Sequence, residues 1–196
     1  MKQIQKIFKE HGEILKTSDA IKLGIHPETL RRLCRKGDIE QLGRGLYRWA
    51  KLSPLGHPDL VSVAMRVPKG AFCLISALFF HGITTQIPHE IYLAVSRNAS
   101  IPRIDYPPVR IFRFSSTTFE EGIEHHKLDG VPIRVYSIEK TLADCFKYRN
   151  QIGLDVAIEA LKSYRKKKRF QGDALVHFAR ICRVEKIMRP YLEALL

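Results

Sequence analysis

Glycine punctuation in the first fifty residues is the tightest constraint this chain places on its own fold. Stops at His11-Gly12, Gly24, Lys36-Gly37-Asp38 and Gly43-Arg44-Gly45 cut the segment into short helices and short strands. No such piece can bury a core alone, so the pieces must pack on one another.

Each piece carries its own signature. Ile4, Ile7 and Phe8, followed beyond the stop by Ile14 and Leu15, form a helical stripe, and the first helix is expected to end near Glu10. Thr17-Ser18-Asp19 is a cap-rich start to a short helix that carries Ala20, Ile21 and Leu23 and closes at Gly24. His26-Pro27-Glu28-Thr29 opens a third helix with proline in its first turn, and Leu30, Leu33 and Cys34 then fall on one face. Residues 39–42 and 46–49 alternate apolar and polar side chains around the Gly-Arg-Gly turn, the pattern of a hairpin. Helix, helix, turn, helix and hairpin in this order predict a winged helix-turn-helix over residues 1–51.

With Leu30, Leu33 and Cys34 turned inward, the outward set is Glu28, Thr29, Arg31, Arg32 and Arg35. Arginines on a helix that enters the major groove donate paired hydrogen bonds to guanine edges or to the flanking phosphates. Arg44 at the hairpin tip, with Arg48 behind it, extends the set as a wing toward the backbone or minor groove. The charge agrees with a polyanionic partner such as double-stranded DNA: 33 basic against 20 acidic residues give +13, and residues 1–51 alone hold 12 against 6. A second dense run, Arg165-Lys166-Lys167-Lys168-Arg169, sits at a helix end, where it is either a solvated terminus or an auxiliary phosphate contact.

Two prolines and a glycine within residues 53–58 predict a connection between units, and residues 59–196 a larger α+β domain. Its expected order is helices over 60–67 and 71–81, strands over 91–95 and 109–114, a hairpin around Asp129-Gly130, and helices from Ser137 to the end. The fold class is therefore α+β throughout.

Several functions lose support on composition and motif. No apolar run reaches the length of a membrane span, and the basic amphipathic start lacks the apolar segment of a secretory signal, so no membrane role is expected and a cytoplasmic protein is. Cys34, Cys73, Cys145 and Cys182 stand 39, 72 and 37 residues apart, too dispersed for a chelating or redox pair, and are expected to be small core residues. His125 and His126 on one strand face opposite ways, His57, His81 and His89 lack a partner at chelating spacing, and no metal site or cofactor is expected. None of the twenty Asp and Glu residues is followed two places later by Lys, and neither a P-loop nor a Gly-x-Ser-x-Gly element is present, so the chain is not expected to be an enzyme. A nucleic-acid-processing enzyme would instead need distant carboxylates such as Glu139, Asp144 and Glu159 to converge.

The sequence GIHPETLRRLCRKGDIEQLGRGLYRWA, then PKGAFCLISALFFHG, QIPHEIYLAV, YSIEKTLADCFKYRNQIGLDVAIEAL and ICRVEKIMRPYLEALL, resembles the AbiEi-like antitoxins of type IV toxin-antitoxin systems and related winged-helix regulators. The segments holding Ser76, Ala77, Leu78, His81 and Gly82 and running from Thr141 to Asp144 are the more specific part of the likeness. The resemblance implies a repressor that binds repeated sites in its own promoter. It also implies an antitoxin domain that counters a nucleotidyltransferase-like toxin without a stable complex, with Ser76, His81, Thr141 and Asp144 as the motif of that domain. The alternative is a stand-alone regulator whose second domain serves oligomerisation or partner docking.

Overall fold

The computed structural model describes residues 2–11, 13–50, 55–168 and 170–194. By packing, the chain divides into a first unit, Met1–Arg66 with Lys127–Pro132, and a second, Val67–His126 with Ile133–Leu196.

The first unit begins with α1 (Lys2–Glu10), β1 (Ile14–Lys16), α2 (Thr17–Lys22) and α3 (Pro27–Arg35), and continues through β2 (Ile39–Gly43), β3 (Leu46–Trp49) and α4 (Pro58–Arg66). The strands form an antiparallel sheet in the order β1-β3-β2, and the whole is a winged helix-turn-helix. Ile14 and Leu15 do not continue the helical stripe as the periodicity suggested. They form β1, paired with Arg48 and Tyr47. Their spacing of seven from Ile7 and Phe8 fits a helix equally well, but Glu13 adopts φ 68 and ends helical geometry before them. Helix α2 starts one residue earlier than its cap-rich sequence implied. Lys16 is the N-cap without a side-chain cap bond, and Thr17 faces the wing instead. Phe8, Leu15, Ala20, Ile25, Leu30, Leu33, Ile39 and Trp49 make the core, with the Phe8 and Trp49 rings 5.8 Å apart. Helix α4 contacts β2, so the packing division falls after Arg66, beyond the proline-bearing stretch read as the connection. Gly12, Ser53 and Pro54 lie outside the described residues.

The second unit adds β4 (Ala71–Phe72), α5 (Leu74–Phe80), β5 (Ile91–Ser96), β6 (Val109–Phe114), α6 (Ser116–Glu120), and β7 (Ile123–Leu128) and β8 (Val131–Tyr136) apart from Lys127–Pro132, which falls in the first unit. Its helical part is α7 (Ile138–Lys147), α8 (Arg149–Ile152), α9 (Leu154–Arg165), α10 (Gly172–Ile181) and α11 (Glu185–Glu193). The five strands order as β6-β5-β4-β8-β7, with β4 antiparallel to β5 and parallel to β8, and β5 parallel to β6. The expected single helix over 71–81 is thus a two-residue central strand followed by α5. Ala71 and Phe72 lie between two strands, and Leu74 at φ 46 turns the chain sharply into the helix. A short apolar run does not reveal that break by periodicity. Asp129 and Gly130, at φ 50 and 80, supply the two positive torsions that a type I′ turn requires.

Helix α7 organises this unit. Every residue from Lys140 through Phe146 is buried, and the helix packs against α5, α9, α10 and α11. Two of those buried residues are charged: Lys140 Nζ meets Asp144 Oδ2 at 2.5 Å, one helical turn on, with both side chains at 0% exposure. Cys182 donates to the other carboxylate oxygen at 3.2 Å, and the ammonium lies 4.3 Å and 4.9 Å from the ring centroids of Tyr136 and Phe114. Gly122 at φ 74 lets the chain pass against this lysine; a Cβ there would stand 2.7 Å from Lys140 Cβ.

Among the described residues no helix is long and apolar enough to cross a membrane. The four cysteines are free, with Cys73, Cys145 and Cys182 buried and Cys34 partly exposed. Burial pushes the thiols of Cys73 and Cys145 well up, and burial together with the nearby Asp144 carboxylate pushes that of Cys182 up to about 12.

These observations set two expectations. Removing one partner, as in Lys140→Met or Asp144→Leu, leaves an uncompensated buried charge and is expected to cost about 3–5 kcal/mol in denaturant unfolding. The double variant Lys140→Met/Asp144→Leu is expected to recover most of that loss, and a double variant as unstable as the singles would contradict the pairing. Under native conditions iodoacetamide is expected to label Cys34 and to reach the other three cysteines only after unfolding, as peptide mapping by mass spectrometry would report.

Candidate nucleic-acid interface

Helix α3 owes its orientation to both of its faces. Leu30 and Leu33 are locked into the core at 1% and 3% exposure, which turns Glu28, Arg31, Arg32 and Arg35 to solvent, with Thr29 half-buried at the helix start. The His26 ring accepts the Glu28 amide at 3.3 Å and Pro27 occupies the first helical position, so the leading turn is capped. Cys34 is only partly buried.

The three arginines are not equivalent. Glu28 clamps Arg35 at 2.9 Å and Arg31 at 3.3 Å, all three side chains being more than half exposed. Among the described residues no carboxylate pairs with Arg32, so its guanidinium is the one on this helix that needs no release. A surface pair of this kind is worth little and exchanges readily for a stronger anion.

The wing is more firmly held than the sequence implied. Its turn carries Gly45 at φ 71, whose carbonyl accepts both the backbone amide and the hydroxyl of Thr17, at 2.9 Å and 3.3 Å. Arg66, from the end of α4, reaches the Arg44 carbonyl at 3.5 Å, and a Cβ at Gly43 would collide with its guanidinium. Arg44 itself is exposed at the tip. Arg66 was missed from sequence because it stands 22 residues from the wing, and no local pattern links the two.

Arg48 does not belong to the exposed set in which the sequence placed it. Its side chain is 6% exposed and bonds Glu40 at 3.0 Å across the β2-β3 pair. A two-stranded wing would leave β3 at an edge, but β1 pairs along its free side and makes it the central strand, with Arg48 flanked by Ile14 and Glu40.

The second unit separates the residues that its motif grouped. Ser76 is fully buried and its hydroxyl accepts the Tyr92 amide at 2.9 Å. Thr141 donates to the Tyr136 carbonyl at 3.3 Å, whereas Asp144 faces Lys140 and Cys182, so these two do not share a partner. His81 caps α5 and bonds the Tyr136 carbonyl at 2.8 Å, with its ring 6.2 Å from that of His126. Glu139 accepts the Tyr164 hydroxyl and Glu159 is exposed on α9, so Glu139, Asp144 and Glu159 do not converge. Among the described residues no three His, Cys, Asp or Glu side chains are grouped to hold an ion. Arg165 through Lys168 are exposed at the end of α9, and Arg169 lies outside the described residues.

The contrast between the two wing arginines is testable by thermal unfolding. Arg48→Ala is expected to destabilise the chain by about 1–2 kcal/mol through loss of a largely buried charge-assisted bond, and Arg44→Ala to stay within about 0.5 kcal/mol of the parent. Equal effects would put Arg48 on the surface.

No curated protein matches the chain. Residues 2–50, which end one residue beyond β3, match the family described as transcriptional regulator, AbiEi antitoxin, so the likeness covers the winged helix-turn-helix.

Proposed function

We propose that this protein is a DNA-binding transcriptional autoregulator that lays α3 in the major groove and its wing along the adjacent backbone or minor groove. The observation that carries the reading is the two-faced α3: one side is fixed by Leu30 and Leu33, the other offers Arg31, Arg32 and Arg35, and Arg44 stands at the wing tip. In this reading Arg32 supplies base discrimination by a paired hydrogen bond to guanine, and Arg31 and Arg35 leave Glu28 for phosphates. Arg44, steadied by Arg66 beneath it, contributes sequence-independent affinity.

The second unit is proposed to carry the antitoxin role, countering a nucleotidyltransferase-like toxin without a lasting complex. The family likeness of the first unit supports this context. Burial of Ser76, Thr141 and Asp144 favours a fold-ordering role for those three, which leaves His81 as the motif residue nearer the surface.

Footprinting and titration on the protein's own upstream region test the DNA half. Arg32→Ala is expected to weaken operator binding by about tenfold to a hundredfold and to flatten base preference, corresponding to about 1–3 kcal/mol. Arg44→Ala should lower affinity evenly across sequences. Glu28→Gln should raise affinity for any duplex and steepen its salt dependence, because two arginines lose their competitor. An Arg32→Ala protein that discriminates operator from scrambled DNA as the parent does would defeat the groove assignment. For the antitoxin half, co-expression with a neighbouring toxin gene should restore growth.

A further inference from the structure

A cleft of about 780 Å³ lies within the second unit, between the first turn of α7, the start of β7 and the segment joining α9 to α10. Its volume falls in the range of small-molecule sites. Ile123, Ile138, Ala174 and Phe178 give it an apolar and aromatic lining, and Lys167, Lys168, Gln171, Glu124 and Glu139 line it with polar and charged groups.

Described residues on either side of the two lysines are tied into the fold. The Tyr164 hydroxyl accepts the Gln171 amide at 3.0 Å and donates to Glu139, which ties the segment to α7. Burial and the Glu139 hydrogen bond push the Tyr164 hydroxyl up, so it remains a donor across the ordinary pH range. Phe170 packs on Tyr164 at 5.2 Å, its amide bonds the Lys167 carbonyl, and Arg165 stacks over it at 5.1 Å. Among the described residues no carboxylate pairs with Lys167 or Lys168. Two cations therefore share a cleft of ligand size with an apolar, aromatic lining, while the two carboxylates that line it, Glu139 and Glu124, are engaged by Tyr164 and His126.

We propose that this cleft binds a nucleoside triphosphate, with the phosphates on Lys167 and Lys168 and the base against Phe178 and Ile138. Phosphate calls for unpaired cations, and a base calls for a flat apolar or aromatic partner. Gln171 supplies an amide that ribose hydroxyls or base amines bond. The site is independent of the winged helix, and the inference stands whether or not α3 reads DNA.

Isothermal titration of the full chain with ATP, GTP, adenosine and inorganic tripolyphosphate tests this. At least one triphosphate is expected to bind, and both adenosine and tripolyphosphate to bind more weakly than it does. Lys167→Ala/Lys168→Ala should cost at least tenfold in affinity, whereas Lys162→Ala/Lys186→Ala should leave it unchanged. Ala174→Phe, which fills the cleft and spares the lysines, should abolish binding in a protein whose melting curve matches the parent. Absence of binding at millimolar nucleotide, equal affinity in the Lys167/Lys168 double variant, or tripolyphosphate binding as tightly as ATP would each overturn the proposal. So would a double variant that loses affinity for duplex DNA while the parent binds no nucleotide, since the lysines would then serve the nucleic acid.

Discussion

A lysine and an aspartate one helical turn apart, both withdrawn from water, set the terms on which the second unit folds. Each charge loses several kcal/mol of hydration on burial, and only close pairing together with further polar contacts offsets that loss. Lys140 and Asp144 meet the condition at 2.5 Å, with the Cys182 thiol on the second carboxylate oxygen and two aromatic faces beside the ammonium. Those partners come from the residue capping α10, from β8 and from β6 as well as from α7, so the pair is satisfied only when all four elements are in place. Nonpolar packing alone would tolerate small shifts of α7 against α5, α9, α10 and α11; a buried ion pair does not. Gly122 belongs to the same arrangement, because any larger residue would push the chain away from Lys140.

The first unit solves a different problem. Its core is apolar, and the charges of α3 are kept on one side by the opposed faces of that helix. What the structure adds is a gradation among those charges. Glu28 holds Arg31 and Arg35 in weak surface pairs, Arg48 is committed to Glu40, and Arg32 and Arg44 stand ready. The helix therefore presents less free positive charge than its formal charge suggests, since an anion reaching Arg31 or Arg35 must displace Glu28.

The Arg165–Lys168 stretch shows how one charge run divides once it is folded. Arg165 is drawn onto Phe170, while Lys167 and Lys168 line the cleft beside α7. Tyr164, directly before the stretch, bonds both Glu139 and the Gln171 amide through its hydroxyl, and so holds the chain on both sides of the cations.

Local chemistry by itself determined much of this protein. Glycine stops, Pro27 at a helix start, the Gly-Arg-Gly turn and Asp129-Gly130 act through torsions of their own residues, and they gave the winged helix, its outward arginines and the β7-β8 hairpin directly. Burial and pairing depend on residues distant in the chain, and there the sequence was silent or misleading. Ile14 and Leu15 fit a helix by spacing until β3 claimed them, Ala71 and Phe72 became a strand because β5 and β8 flank them, and Arg48 left the surface because it sits on a central strand and pairs with Glu40. The pairing of Lys140 with Asp144, the support of the wing by Arg66 and the wall built on Tyr164 were decided only by tertiary structure. A charge is tolerated in the interior, or aimed at a ligand, according to which groups surround it in three dimensions, and periodicity along the chain does not carry that information.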